Sequence, residues 1–191
     1  MAETENPENE NAEKRPVSRS PLSVFSLAVF PGVLVRQVAR QIFCRFLRVA
    51  IFDVRYLEPG GVVHEKPIWA SQQILLVVGP FLVCSLLGAL VAAPAAIPVV
   101  RLGTGGPLEG AFLWVGFSLA VQAFPVPEEA KTLQRLLGDP HVVPVFRFAV
   151  LPIAALIALG TGGLSFWRKA IYALVVTLII PNALIWLLSL A

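Results

Sequence analysis

The chain has 191 residues, of which 57% are hydrophobic and only 14% are charged. Soluble globular chains carry about 25% charged residues, so this composition argues against a soluble domain and for an integral membrane protein. The net charge of +3 is mild. Because a basic excess in a membrane protein usually marks cytoplasmic loops, we expect no nucleic-acid partner. Two cysteines in apolar surroundings predict small buried thiols rather than a disulfide framework.

Residues 1–20 differ in composition from the rest of the chain. They are almost purely Glu, Asn, Pro and small polar residues, and they lack the apolar core of a secretory signal peptide. Such a segment cannot bury enough apolar surface to offset its ordering entropy. We therefore predict a disordered polar tail, which acts as a solubilising leader rather than as a docking peptide, followed by an integral membrane domain over residues 21–191.

Hydrophobic segments divide that domain. Residues 74–93 and 171–190 are firm candidate spans, since a span needs roughly 20 apolar residues. Shorter candidates are residues 111–124 and 142–160, and the first segment, residues 25–52, also carries many polar side chains. The pattern predicts a mainly α-helical, polytopic membrane protein with four or five membrane helices. We expect a multi-pass location in the cell membrane, with the lipid bilayer and other membrane-protein segments as partners.

Several local features qualify those segments. Trp167, Arg168 and Lys169 precede the last span as an aromatic and basic interface anchor. Prolines at positions 80, 152 and 181 predict kinked helices. Residues 52–66, FDVRYLEPGGVVHEK, predict a small β-hairpin with a glycine turn after the first helix. Residues 128–137 predict a short amphipathic helix at the surface. His64 and His141 are far apart and predict interfacial residues rather than a metal site.

Residues 25–52 place a stripe of polar side chains on one predicted helix. At 100° per residue the stripe occupies about half of the circumference, and it consists of Arg36, Gln37, Arg40, Gln41, Arg45 and Arg48. A charged side chain at mid-bilayer costs about 2.5–3.5 kcal/mol, so these arginines cannot face lipid there. The helix therefore lies along the membrane surface with its arginines toward headgroups, or it turns its polar face into the bundle.

The stretch Arg36-Gln37-Val38-Ala39-Arg40 has the spacing of the motif H-E-x-x-H. In that motif two histidines one helical turn apart bind Zn²⁺, and the Glu activates a water molecule. The letters FPGVLV before the stretch and QIFCR after it resemble the intramembrane zinc metalloproteases of the site-2 protease-like class, especially archaeal members. The hairpin, VGPF at 78–81, AFP at 123–125 and EEAK at 128–131 follow in the family's order, so the resemblance covers everything except the tail.

The resemblance implies zinc as a cofactor, and the chain departs from it at the zinc positions. Arg36 and Arg40 stand at the two histidine positions, and Gln37 stands at the catalytic Glu. The implied cleft also holds Cys84 at a position that is often Asn, Gln122 where a His is expected, and Glu129 near the acidic third ligand. Arginine has no lone pair for a metal, and glutamine cannot act as a general base. We expect no cofactor and no intact catalytic residue, with Glu129 as the one possible remaining ligand.

Two placements of Arg36 and Arg40 follow from this departure. In the first, an ion pair with Glu129 occupies the space where zinc sits in the resembled family, with Glu128, Glu58, Glu65 or Asp53 as other possible counter-charges. In the second, the basic face pairs with anionic lipid headgroups. The sequence favours the second placement, and the contacts of the two guanidinium groups decide between them.

Three functions are compatible with these residues. The first is a non-catalytic relative of the site-2-type metalloproteases, a pseudoprotease that binds membrane segments or partner proteins. The second is an active membrane metalloendopeptidase with a relocated site, which would need new ligands. The third is a small membrane structural or transport-associated protein whose Arg/Gln stripe lines a polar pathway. The first is the function that we predict.

Overall fold

The computed structural model describes residues 28–54, 56, 62–64, 67, 69–138, 144–161 and 165–189. The predicted polar tail lies outside these residues, as do Glu58, Glu65 and His141. The helices and strands are, in chain order, α1 Phe30–Phe46, β1 Ile51–Val54, β2 Val62–His64, α2 Ala70–Ile97 with a π-helical end Pro98–Leu102, α3 Pro107–Gln122, α4 Pro127–Leu137, α5 Pro144–Thr161, α6 Ser165–Leu174, a π-helical segment Val175–Ile179, and α7 Ile180–Leu188.

Within the described ranges, two helices are long and apolar enough to cross a membrane. They are Ala70–Leu102, with 33 residues, and Phe166–Leu187, with 22 residues. The bent pair α3 and α4, whose axes differ by 54°, raises the number to three if it is counted as one span. The mainly helical class is therefore confirmed, the two firm candidate spans coincide with these two helices, and the described chain supports two to three candidate spans by length and composition.

The predicted hairpin is also confirmed. β1 and β2 pair antiparallel, with Asp53 opposite Val63 and Val54 opposite Val62, and the register is irregular between Ile51 and Asp53. Its glycine turn lies outside the described residues. The hairpin is anchored to the helices through Val62, which is buried in a cluster with Cys44 of α1 and Leu76 of α2.

Small residues allow α2 and α3 to pack closely. A Cβ atom added at Gly88 would lie 2.9 Å from the carbonyl oxygen of Gly116, and one added at Gly116 would lie 2.8 Å from the Cβ of Ala92. Close approach of this kind is the usual basis of helix association in membranes, where lipid competes with apolar side chains for contact. The α2–α3 crossing is consequently the central helix pair of the bundle.

Hydrogen bonds attach the beginning of α1 to α3, and those of Ser118 are buried. The Gly32 backbone N–H donates to Ser118 Oγ at 2.9 Å, and the Ser118 hydroxyl donates to the Val29 carbonyl at 2.8 Å. The Trp114 indole donates to the Ala28 carbonyl at 3.0 Å. Gly32 has no side chain at this contact, and an added Cβ would collide with the Ser118 carbonyl. Because the first N–H groups of a helix lack partners within the helix, Ser118 fixes where α1 begins.

The last span is interrupted before Pro181, where α6 becomes π-helical and then continues as α7. A proline cannot donate to the carbonyl four residues earlier, and side chains serve the local backbone instead. Asn182 Nδ2 donates to the Leu178 carbonyl at 2.8 Å. Arg101, at the end of α2, donates to Asn182 Oδ1 and to the Asn182 carbonyl, both at 3.2 Å. Pro80 and Pro152 lie inside α2 and α5.

The two glycines of α3 provide a matched test of the helix crossing. We expect Gly116→Ala to lower the free energy of unfolding by about 1–3 kcal/mol, because its methyl group overpacks the contact with Gly88 and Ala92. Gly110→Ala should be neutral or stabilising by up to about 1 kcal/mol, because a Cβ there meets open space and alanine favours a helix. Thermal unfolding in detergent measures both, and equal stability of the two variants would contradict the crossing.

Candidate functional site

The first part of the polar face of α1 points into the bundle, whereas Arg45 near the end of the helix and Arg48 just after it are exposed. Arg36 and Arg40 are each 5% exposed and Gln37 is 1% exposed, whereas Ile42 is 60% and Phe46 is 77% exposed on the same helix. The favoured headgroup placement is therefore wrong for Arg36 and Arg40. The physical reason is that an internal carboxylate is within reach of both guanidinium groups, while the apolar side chains of α1 form the outer surface.

That carboxylate belongs to Glu129 and serves both arginines. Arg36 Nη2 lies 3.4 Å from Glu129 Oε2, and Arg40 Nη2 forms an ion pair with Glu129 Oε1. The three side chains are called the Arg–Glu–Arg cluster below. Arg36 and Arg40 lie one helical turn apart and would repel each other without a counter-charge. A carboxylate with one oxygen for each guanidinium converts that repulsion into a charge-assisted network.

The local sequence of α4 explains why Glu129 is in reach. Pro127 begins the helix directly after the 54° bend from α3. Glu129 occupies the third helical position, and its Oε2 accepts a hydrogen bond from the Val126 backbone N–H at 3.4 Å. The predicted surface helix is thus a helix as expected, but Ala130, Leu133 and Leu137 are buried along one face. This face lies in a core cluster with side chains of α2 and α5, and Glu129 in the first turn of α4 reaches the arginines of α1.

Cys84 and Gln122, the remaining residues of the predicted cleft, do not line an open cleft. Cys84 is fully buried in the core cluster that also contains Phe81, Phe124 and Leu133. Gln122 is half-buried at the end of α3 and is not among the partners of Glu129 within the described chain. Cys44 is buried in the separate hairpin cluster. The structure therefore brings together Arg36, Arg40 and Glu129.

Positive charge exceeds negative charge around the cluster. Two guanidinium groups share one carboxylate, and Lys169 adds a half-buried ammonium group whose Nζ lies 5.9 Å from the centre of the Phe124 ring. Phe124 packs edge-on against Tyr172, with ring centres 4.9 Å apart. The sequence assigned Lys169 to an interface anchor, but its ammonium is in a cation–π contact. Trp167 and Arg168, its neighbours, are exposed.

The zinc that the resemblance implies does not fit these residues. Two fixed cations stand where the resembled motif has its histidines, and Glu129 is the carboxylate that contacts them among the residues that the structure describes. Guanidinium groups have no lone pair for a metal and repel a divalent cation. Among the residues that the structure describes, no group of three His, Cys, Asp or Glu side chains could hold a metal ion.

Sequence reasoning missed a cavity beside Arg40. It measures about 240 Å³ and lies between α1, the first turns of α2 and the first turns of α4. Its lining side chains come from three separate segments of the chain, so no spacing within one motif could have indicated it. The one sequence feature that could have indicated this region was Arg40, because a buried arginine needs a carboxylate partner.

Comparisons of the chain with models of known protein families, with curated protein sequences and with solved structures find no match. The resemblance to site-2-type metalloproteases therefore continues to depend on the residues of α1 and on the order of the segments that follow it. The Arg–Glu–Arg cluster is consequently interpreted from its own chemistry.

Adjacent glutamates allow a matched test of the cluster. We expect Glu129→Gln to lower the free energy of unfolding by about 3–5 kcal/mol, because it leaves two buried guanidinium groups without a counter-charge. The glutamine side chain keeps an oxygen that can accept the hydrogen bond from the Val126 N–H. The loss of stability therefore measures the contribution of the negative charge. Glu128→Gln removes an exposed charge and should change stability by less than about 0.5 kcal/mol. Both are measured by thermal unfolding in detergent, and equal stability of the two variants would contradict the buried pairing.

Proposed function

We propose that the chain is a non-catalytic, multi-pass membrane protein that binds membrane segments of partner proteins. In this proposal it has the scaffold of a site-2-type metalloprotease, and the Arg–Glu–Arg cluster fills the place of the metal. The single observation that carries the proposal is the shared carboxylate. Glu129, the one possible zinc ligand named from the sequence, contacts both arginines that stand at the histidine positions.

Hydrolysis by the metalloprotease route needs groups that these positions do not offer. A zinc protease activates water through a metal with at least three protein ligands and a general base. At the corresponding places this chain has two permanent cations and Gln37, whose amide does not accept a proton at neutral pH. A relocated metal site would need another convergent set of ligands, and none occurs within the described ranges.

A count of four or five crossings in the cell membrane is part of the proposal. α1 and α5 contain 17 and 18 residues, which corresponds to about 26 Å each at 1.5 Å per residue. A bilayer core is about 30 Å thick, and a helix slightly too short can be accommodated by local thinning. The arrangement of α1 favours a crossing, because Arg36 and Arg40 in its middle are internal and the apolar Val38, Ile42 and Phe46 are exposed.

A groove between α4 and α5 is the surface that suits a membrane segment. It measures about 340 Å³, and three alanines of α5 form part of its wall, Ala154, Ala155 and Ala158. Small residues spaced one turn apart let the backbone of another helix approach closely. The groove is lined by the C-terminal end of α4, and Glu129 lies in the first turn of that helix, so a bound segment would leave the Arg–Glu–Arg cluster in place.

Site-specific photo-crosslinking in native membranes tests this binding. A photoreactive amino acid at Ala155, which is exposed in the groove, should form a discrete adduct with a partner protein of intact length. The control position is Leu90 of α2, which is 59% exposed outside the groove and should give lipid adducts alone. Lipid adducts alone at Ala155 would contradict binding in the groove, and recovery of a cleaved partner would contradict the absence of catalysis.

A further inference from the structure

The groove between α4 and α5 has an arginine at one end of its wall. Arg147 lines the groove together with Leu151, Ala154, Ala155 and Ala158 of the same helix. At 100° per residue these five positions fall within about 100° of one another, so they share one face of α5. The α5 wall of the groove is therefore a continuous strip, with the arginine at its N-terminal end and the alanines beyond it.

Arg147 is the charge that the groove presents to a ligand. The lining residues from α4 are Gln134, Leu137 and Gly138, so the described lining has one positive charge and no carboxylate. Arg147 is exposed and has no hydrogen bond or ion pair with another described residue. The charge of the groove is therefore complementary to an anionic group.

The position of Arg147 in its helix also favours an anion beside it. Arg147 is the fourth residue of α5, and the first turn of this helix contains no acidic residue. The N-terminus of a helix has a partial positive charge, which attracts anions and disfavours cations. The other side chains of α5 are uncharged, and a lone charge on an apolar membrane helix is normally paired or placed at the interface. The side chain and the helix end thus both favour a carboxylate at this place.

The alanines indicate that this carboxylate belongs to a helix. A phospholipid phosphate would also pair with Arg147, but acyl chains would then cover the strip from Leu151 to Ala158. Small side chains on such a strip let the backbone of another helix approach closely, which is the usual basis of helix association in membranes. A membrane helix with an acidic side chain is the ligand that uses both ends of the groove.

We propose that the groove binds a membrane helix that has a small residue and an Asp or Glu about two turns apart on one face. Arg147 precedes Ala154 by seven residues, which corresponds to about 11 Å along the helix at 1.5 Å per residue. A partner whose small residue lies on the alanines therefore places its carboxylate opposite Arg147, where a charge-assisted pair forms. This inference rests on the proposed function and names the chemistry of the bound segment.

Synthetic membrane peptides and the purified full chain in phosphatidylcholine vesicles test the proposal. Each peptide is a leucine helix of about 20 residues with a central alanine and one diazirine-bearing leucine for photo-crosslinking. The acidic peptide has aspartate seven residues after the alanine, and the matched peptide has asparagine there. We expect the acidic peptide to reach half-maximal crosslinking at a concentration at least about fivefold lower, because it alone forms an ion pair with Arg147.

Two arginine variants assign this preference to the groove. Arg147→Gln should abolish the preference, so that both peptides bind equally. Arg135→Gln removes an exposed arginine of α4 that does not line the groove, and it should leave the preference unchanged. Equal binding of both peptides to the unaltered chain, as expected if headgroups hold Arg147, would overturn the proposal. A preference that persists in Arg147→Gln would overturn it as well.

A third variant separates this proposal from the proposed function. Ala155→Leu fills the groove and should weaken binding of both peptides at least about tenfold. If both peptides bind equally and Ala155→Leu weakens both, the acidic preference is overturned while binding of membrane segments stands. If neither peptide crosslinks, or if Ala155→Leu changes nothing, binding in the groove is itself contradicted.

A carboxylate of this chain is the competing partner of Arg147. Asp139 lies outside the described residues, eight positions before Arg147 in the chain. We expect Asp139→Asn to retain the preference for the acidic peptide at the level of the unaltered chain. A preference that appears only after this replacement would show that the chain itself supplies the carboxylate, and it would overturn the proposal.

Discussion

One carboxylate that pairs with two buried guanidinium groups is the interaction on which the site depends. Glu129 is 93 residues from Arg36 in the chain, and it links the first turns of α4 to the middle of α1. Each component requires the others, because a buried charge is tolerated only when it is paired and hydrogen-bonded. The bend between α3 and α4, the close packing of α1 on α3 and the burial of one face of α4 all serve to bring that carboxylate to the arginines.

The same rule of internal pairing governs the other polar groups of the bundle. Ser118 exchanges hydrogen bonds with the first turn of α1, Ser85 and Tyr172 share a 2.7 Å hydrogen bond, and Asn182 joins the last helix to Arg101. The exposed surface is rich in large apolar side chains. In lipid no water is available to satisfy polar groups, so such an arrangement, with polar groups inside and apolar side chains outside, suits a membrane protein.

Much of the fold was predictable from sequence, because its signals are local. Long uncharged runs predicted α2 and the last span, and the Val and Tyr residues on either side of Gly60 and Gly61 predicted the hairpin. The orientation of α1 was not predictable in this way, since an amphipathic helix has the same pattern whether its polar face meets headgroups or a protein interior. That choice depends on the position of Glu129, which the bend after α3 determines. The cavity beside Arg40 could not be predicted either, because its lining residues come from three segments that are far apart in the chain.

The zinc content of the purified chain tests most directly whether Glu129 is committed to the arginines. The protein would be produced in zinc-supplemented medium, purified without chelators and analysed by elemental mass spectrometry, with the Glu129→Gln variant as the control. If both guanidinium groups hold the carboxylate, the unaltered chain contains no more zinc than the variant. Stoichiometric zinc in the unaltered chain, lost on replacement of Glu129, would require the arginines to swing aside and would contradict the proposed ion-pair cluster.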